Sequence, residues 1–234
     1  MPQPIRTNGM TSAASALQML ERRQQVLANN LANANTRGFK AETVFARMMG
    51  DAVATADSAV DMTQGSLTET HNGLDVAVEG SGFLVVKTPG GERFVRGGSF
   101  ELNANRQLVD ANGNQLLGED GPITVPPGVV SIDNAGLVQV DAKPIATLRL
   151  ETVDPKVQLV HEGGTMFVPD ASRKSVATAD RKIHQGFIEE SNVNTMSAMT
   201  EMIEVMQRYT AAQKSIATLD SARGIAVNDL AKPV

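Results

Sequence analysis

Gly80-Ser81-Gly82 sets two glycines around a hydroxyl, the start of a loop whose backbone N–H groups could cradle a phosphate. The third glycine, the following helix and the lysine that such a loop needs do not follow, so the triplet reads as a β-turn. Asp110-Ala111-Asn112-Gly113-Asn114 begins like a calcium loop. Its sixth position is Gln115 and its twelfth Gly121, where a tight-turn glycine and a closing glutamate are required, and this excludes an EF-hand. His71, His161 and His184 are widely separated, show no metal-ligand spacing, and have no cysteine to join them. No nucleophile-elbow sequence gathers Ser, His and Asp. The paired acids Glu119-Asp120 and Glu189-Glu190 read as solvated surface. Two carboxylates from anywhere in a fold can make a glycosidase, but aromatic residues are 3% of the chain and leave few rings to stack on sugars. No catalytic, cofactor or metal residue is assigned, and no enzyme is expected.

The elements around these residues carry a different message. Met10, Ala13, Leu17, Leu20, Gln24, Leu27, Leu31 and Ala34 follow 3-4 spacing near the start, and Met199, Met202, Met206, Tyr209, Gln213, Ile216 and Asp220 do so near the finish. Such spacing places one narrow seam along a helix. The first helix is expected from Thr11 or Ser12 to about Asn33, with Gly38 suited to a positive-φ C-cap position. Asn194 can cap the second, and Gly224 after Arg223 can stop it. Each narrow seam fits packing against another long helix. The same residues would also serve two ordinary core helices laid across the β-region.

Between the helices, short β-prone runs alternate with turn residues. The runs are Leu74–Glu79, Phe83–Lys87, Arg93–Arg96, Gln107–Asp110, Gln115–Leu117, Ile123–Val125, Val129–Ile132, Leu137–Val140, Ile145–Leu150 and Met166–Val168. Pro89-Gly90-Gly91, Ala111-Asn112-Gly113-Asn114 and Asn134-Ala135-Gly136 suit hairpin connections. The spacing favours an antiparallel sandwich or distorted barrel and leaves no room for parallel crossovers. Phe39, Val44, Phe45, Met48 and Met49 fit a short helix or an irregular arm, and the Ala-rich stretch from Asp51 to Thr63 fits a mobile one.

The formal charge of -5 over 234 residues gives no electrostatic reason to bind nucleic acid or an anionic membrane. No apolar run is long enough to cross a bilayer. The opening Met1–Gly9 has no apolar h-region, so export, if it occurs, is expected to use a route other than a cleaved signal peptide.

Val26-Leu27-Ala28-Asn29-Asn30-Leu31-Ala32-Asn33-Ala34-Asn35-Thr36-Arg37-Gly38-Phe39-Lys40 closely resembles the N-terminal signature of bacterial flagellar rod and hook proteins. Leu74–Phe83, Arg93–Phe100 and Gln107–Gly113 resemble that family's later blocks, in the same order. Gly186-Phe187-Ile188-Glu189-Glu190-Ser191-Asn192-Val193-Asn194 then precedes the last helix, as it does there. The resemblance implies an axial protein whose terminal helices bundle with neighbouring subunits, exported through the flagellar type III apparatus and assembled in the periplasm into a torque-bearing shaft. Distal-rod members usually carry an extra Leu-Pro-x-Gly segment after the first helix, and hook members an additional outer domain. Arg47–Gly65 shows no such segment, and the chain is short, which favours a proximal-rod member. Its pre-helix tail is longer than is usual for that subgroup.

These readings combine into an α+β expectation: long N- and C-terminal helices pairing as a coiled-coil stem around an inserted, mainly antiparallel β-domain. The expected division is a tail at 1–9, helix and arm at 10–66, β-domain at 67–185 and C-terminal helix at 186–234. Axial packing is assigned to Leu17, Leu20, Leu27, Leu31, Met199, Met202, Met206, Tyr209 and Ile216. The family motif is carried by Asn29, Asn30, Leu31, Ala32, Asn33, Asn35, Thr36, Gly38, Phe39, Lys40, Ser191, Asn192, Val193 and Asn194. Expected partners are further copies, neighbouring rod proteins and the export apparatus, with no cofactor, nucleic acid or stable membrane insertion. The alternatives are a distal-rod or hook-type protein of the same family, a secreted β-domain enzyme with a helical stalk, and a surface adhesin.

Overall fold

The computed structural model describes residues 9–47, 55–154 and 156–230. Among them are two α-helices, α1 (Gly9–Ala32) and α2 (Thr195–Leu230), one short 3-10 turn at Thr178–Asp180, and many short strands. The residues fall into two compact units. One takes in 9–32, 42–47, 55–59 and 194–230; the other takes in 33–41, 60–154 and 156–193.

This overturns the expected fold class. The described residues are mostly antiparallel β with one helix near each end, and no coiled-coil stem is present. The reason is visible on α1. Val26 and Asn30, 4% and 5% exposed, are as buried as the seam residue Leu27 at 6%. A coiled-coil seam is a narrower stripe that would leave those two positions wet. In the first unit α1 packs against both α2 and the strand Glu42–Arg47. Asn30 fixes that strand: its Oδ1 accepts the Glu42 N–H at 2.9 Å and its Nδ2 donates to the Glu42 carbonyl at 2.8 Å. Val44 and Phe45, expected in a short helix or irregular arm, are therefore extended, and Glu42–Arg47 pairs with Thr55–Val60 in a two-stranded sheet. Met48, Met49, Asp51 to Ala54 and the tail at 1–8 lie outside the described residues.

Helix α2 opens where its cap predicts. The Asn194 Oδ1 accepts the Ser197 N–H at 3.0 Å, satisfying a backbone donor of the first turn. It does not stop at Gly224 and continues to Leu230, because one glycine inside a helix costs only about 1 kcal/mol. Gly38 does adopt positive φ (+72°), but in a turn six residues after α1 ends rather than as its cap.

In the second unit every defined strand pair is antiparallel. Its largest sheet runs in the order Val160–Glu162, Met166–Val168, Gly91–Val95, Phe83–Thr88, Gln115–Gly118, Leu108–Val109, Glu101–Leu102. Phe83-Leu84-Val85-Val86 is buried throughout and does not alternate, because the strand has a core on each face. Leu84 and Val86 join Val76, Leu116, Val138, Leu148 and Ile183 on one side; Phe83 and Val85 join Phe94, Leu117 and Phe167 on the other. Each such side chain contributes about 1.5–3 kcal/mol on burial. Leu137–Val140, with a solvated face, shows the plain alternation of half-buried and buried positions. Two strands that the sequence did not announce, Leu67–Glu69 and Phe187–Glu189, pair with each other.

Candidate assembly surface

Helix α2 carries two apolar rows rather than one. Ala198, Met202, Val205, Tyr209, Ala212 and Ile216, spaced 4-3-4-3-4, are all buried or half-buried, with Val205 only 2% exposed. Met196, Met199, Ile203 and Met206, spaced 3-4-3, stand out in solvent at 77%, 46%, 57% and 51% exposure. A shallow groove of about 530 Å³ continues the second row along Ile203, Met206, Gln207, Thr210, Ala211 and Lys214. Single exposed apolar residues are ordinary on protein surfaces; four on one helix face form a patch that marks an interaction surface.

The inner row is held in phase by polar contacts to α1. The Tyr209 hydroxyl donates to Glu21 Oε1 at 2.9 Å, and Arg23 pairs with Glu201. The Glu21 carboxylate beside it raises the Tyr209 phenol above its ordinary pKa.

Of the residues assigned to axial packing, Leu27 is buried, and Leu17, Leu20, Leu31, Met202, Tyr209 and Ile216 are half-buried. Met199 and Met206 belong to the exposed row.

Of the motif residues, Asn29, Asn30, Leu31, Ala32 and Asn194 belong to the helical unit, and the others lie in the β-unit. Asn33 accepts from the Thr36 hydroxyl at 3.2 Å and from its N–H at 3.0 Å, closing the turn that follows α1. The Gly38 N–H then donates to the Glu189 carbonyl at 2.7 Å. Phe39 is 1% exposed, with its ring stacked on His161 at 5.5 Å. The Lys40 ammonium, fully buried, donates to Glu189 Oε1 at 2.5 Å and to the Thr63 carbonyl at 2.6 Å. Asn192 is a hub: its Oδ1 accepts the Ala41 N–H at 2.7 Å, and its Nδ2 donates to the carbonyls of Asp61 and Thr63 at 2.9 and 3.0 Å. Ser191 Oγ accepts the Val193 N–H at 3.2 Å. Ala32 and Asn35 are exposed, as is Asn29.

Glu189 corrects the sequence reading. It is 2% exposed, not a solvated acid, and Arg96 reaches its other oxygen through Nε at 3.1 Å. Arg96 also donates to the carbonyls of Gly82 and Val78. Arg96 has no assigned role in the sequence reading; a local sign of burial is that each charge follows an apolar pair, Phe187-Ile188 before Glu189 and Phe94-Val95 before Arg96. Asp110 accepts the N–H groups of Asn112 and Asn114 through Oδ1, so its loop is an Asx-type hairpin turn. Among the described residues no group of three His, Cys, Asp or Glu is placed to hold a metal ion.

Comparison with known proteins agrees with this arrangement. Residues 10–40 match the family described as "Flagella basal body rod protein", residues 77–140 the "Flagellar hook protein FlgE/F/G D1 domain", and residues 184–229 the "Flagellar basal body rod FlgEFG protein C-terminal". The flagellar basal-body rod protein FlgF of Caulobacter vibrioides is 30% identical over 96% of this chain and 98% of its own length. The FlgF proteins of Salmonella typhimurium and Mesorhizobium japonicum are each 34% identical, over 92% and 84% of this chain and 94% and 87% of theirs. The similarity thus runs through the motif that surrounds Lys40, the β-unit and α2 alike, and the chain belongs to the flagellar basal-body rod protein family, as a member of the proximal-rod type.

Proposed function

We propose that this structural subunit of the basal-body rod polymerises through its terminal helices, meeting further copies of itself and neighbouring rod proteins, and so helps to carry torque along the axial shaft. The observation that supports this most directly is the exposed row Met196, Met199, Ile203 and Met206. Burying such side chains between subunits adds about 1.5–3 kcal/mol each, and helical symmetry repeats that gain at every copy. Residues Leu17, Leu20, Leu27 and Leu31 of α1, with Met202, Tyr209 and Ile216 of α2, hold the helical unit that presents the row. The segments 10–66 and 186–234 serve assembly, and residues 67–185 form the β-domain that accompanies them. The role is structural, not enzymatic. Delivery runs through the flagellar export apparatus to the periplasmic part of the basal body. Among the described residues no helix is long and apolar enough to cross a membrane.

The test is Met199→Asp with Met206→Asp in the full chain. Motility and incorporation into purified basal bodies should be lost while the thermal midpoint of the isolated protein stays within about 1 °C, since both sites are exposed. Normal rods built from that variant would rule out the exposed row as an assembly surface.

A further inference from the structure

The charges around Glu189 do not balance: one carboxylate faces two cations, Lys40 and Arg96, and all three side chains are at most 2% exposed. Burial holds the Lys40 ammonium below the usual lysine range, although its hydrogen bond to Glu189 pulls the other way. Further donors of the two cations end on the carbonyls of Thr63, Gly82 and Val78. Glu189 Oε1 also accepts the Gly65 N–H at 2.9 Å.

Three segments meet at this carboxylate, and polar bonds tie each to the others. The N–H groups of Gly38 and Ala41 end on Glu189 and Asn192, that of Asp61 on the Ala41 carbonyl, that of Glu190 on Ser66, and that of Asn192 on Phe39. No residue of 38–41, 61–66 or 189–192 belongs to the main apolar core cluster. Apart from the buried Phe39 ring stacked on His161, the contacts that join them to one another are polar, and they can part without opening that core.

We propose that residues 38–41, 61–66 and 189–192 form a latch within the β-unit that opens and closes cooperatively, separately from the sheet, with the Glu189 carboxylate as its key. The latch joins two segments that precede residues 67–185 to one that follows them, so it closes only when the chain through Asn192 is available. Its closure is the last ordering step of this unit. The inference rests on the geometry of the β-unit and is independent of the rod reading. It also carries an asymmetry. Lys40→Met leaves Glu189 paired with Arg96, whereas Glu189→Gln leaves two buried cations without a counter-charge.

Amide hydrogen exchange on the full chain, read by mass spectrometry, tests this. Glu189→Gln should speed exchange at Gly38, Ala41, Gly65 and Glu190 by about 100-fold or more, with strand Phe83–Thr88 unchanged, while Lys40→Met changes the same amides by less than about 10-fold. Equal acceleration of latch and sheet amides, or an equal effect of the two variants, would overturn the proposal. Should Glu189→Gln fail to fold, exchange of the unmodified protein in sub-denaturing urea decides. Latch amides sharing one opening free energy below that of the sheet support the latch; latch amides that open only with the sheet refute it.

Discussion

Lys40 and Glu189, 149 residues apart in sequence, meet at 2.5 Å with both side chains shut off from solvent. Breaking a buried pair from one side is far worse than replacing the whole site with apolar groups, because the survivor keeps its desolvation penalty and loses its partner. Glu189→Ala should therefore cost about 3–5 kcal/mol. The triple change Lys40→Met, Arg96→Met and Glu189→Leu should cost clearly less. Urea midpoints at constant m-value report both, and a triple variant weaker than Glu189→Ala would contradict the charge argument.

Gly65 sits beside the same carboxylate for a steric reason. A Cβ built there would lie 2.0 Å from the Glu190 carbonyl oxygen, a backbone atom that cannot swing away. At Gly73 the nearest neighbour of an added Cβ is the flexible Gln185 side chain at 3.6 Å. Gly65→Ala should cost more than about 2 kcal/mol, whereas Gly73→Ala should fall between neutral and about 1 kcal/mol stabilising through reduced chain entropy. Thermal melts of the two variants side by side give the comparison.

Three hairpin turns share one pattern. Asn103, Asp110 and Asp133 each accept, through Oδ1, the N–H groups two and four residues on. The fourth residue of each turn has positive φ: Arg106 at +57°, Gly113 at +80° and Gly136 at +87°. Arg106 tolerates a glycine conformation because its guanidinium donates to the carbonyls of Val125 and Pro126 at 2.7 and 2.9 Å. Ala142, at φ +63° in the turn after Val140, has no such compensation in its methyl group. Ala142→Gly should stabilise by about 0.5–1 kcal/mol, and Arg106→Gly should destabilise by about 1–2 kcal/mol despite the same relief of strain. Chemical denaturation of both variants shows whether the signs differ.

What the sequence reveals here follows the range of the forces involved. The Asn194 cap and the Leu137–Val140 alternation are legible because their causes lie within a few residues. The two rows of α2 are not separable in advance, since Met199 and Val205 are both apolar and only the position of α1 decides which row turns inward. Glu189 reads as a surface acid because its partners Lys40 and Arg96 lie 149 and 93 residues away. The coiled-coil expectation fails for the same reason: the strand that Asn30 holds through Glu42 has no periodic signature on α1 itself.

Acid should loosen the β-unit through Glu92. Burial would raise this carboxyl, yet hydrogen bonds from Arg173 and Arg149 together hold it below its ordinary value of 4.5. Its folded pKa lies under the unfolded one, so the unfolded chain takes up the proton first as pH falls. The contribution is full above the unfolded value of 4.5 and disappears as pH drops through the folded value. Glu92→Gln should lower stability at neutral pH and flatten the decline toward about pH 3, which urea midpoints across that range would show.

Ile203 and Val205 stand two positions apart on α2 and face opposite ways, 57% and 2% exposed. Placing aspartate at each separates folding from assembly. Val205→Asp puts an unpaired charge into the contact with α1 and should destabilise the helical unit by about 3 kcal/mol or more, lowering its melting temperature and its helical signal. Ile203→Asp leaves that contact intact and should change stability by less than about 0.5 kcal/mol, while the charge meets any neighbour that seats on the exposed row. Isolated Ile203→Asp protein should therefore look native by circular dichroism and yet be missing from purified basal bodies. Were it recovered there in normal amount, the neighbouring subunit would have to seat elsewhere than on the Met196–Met206 face.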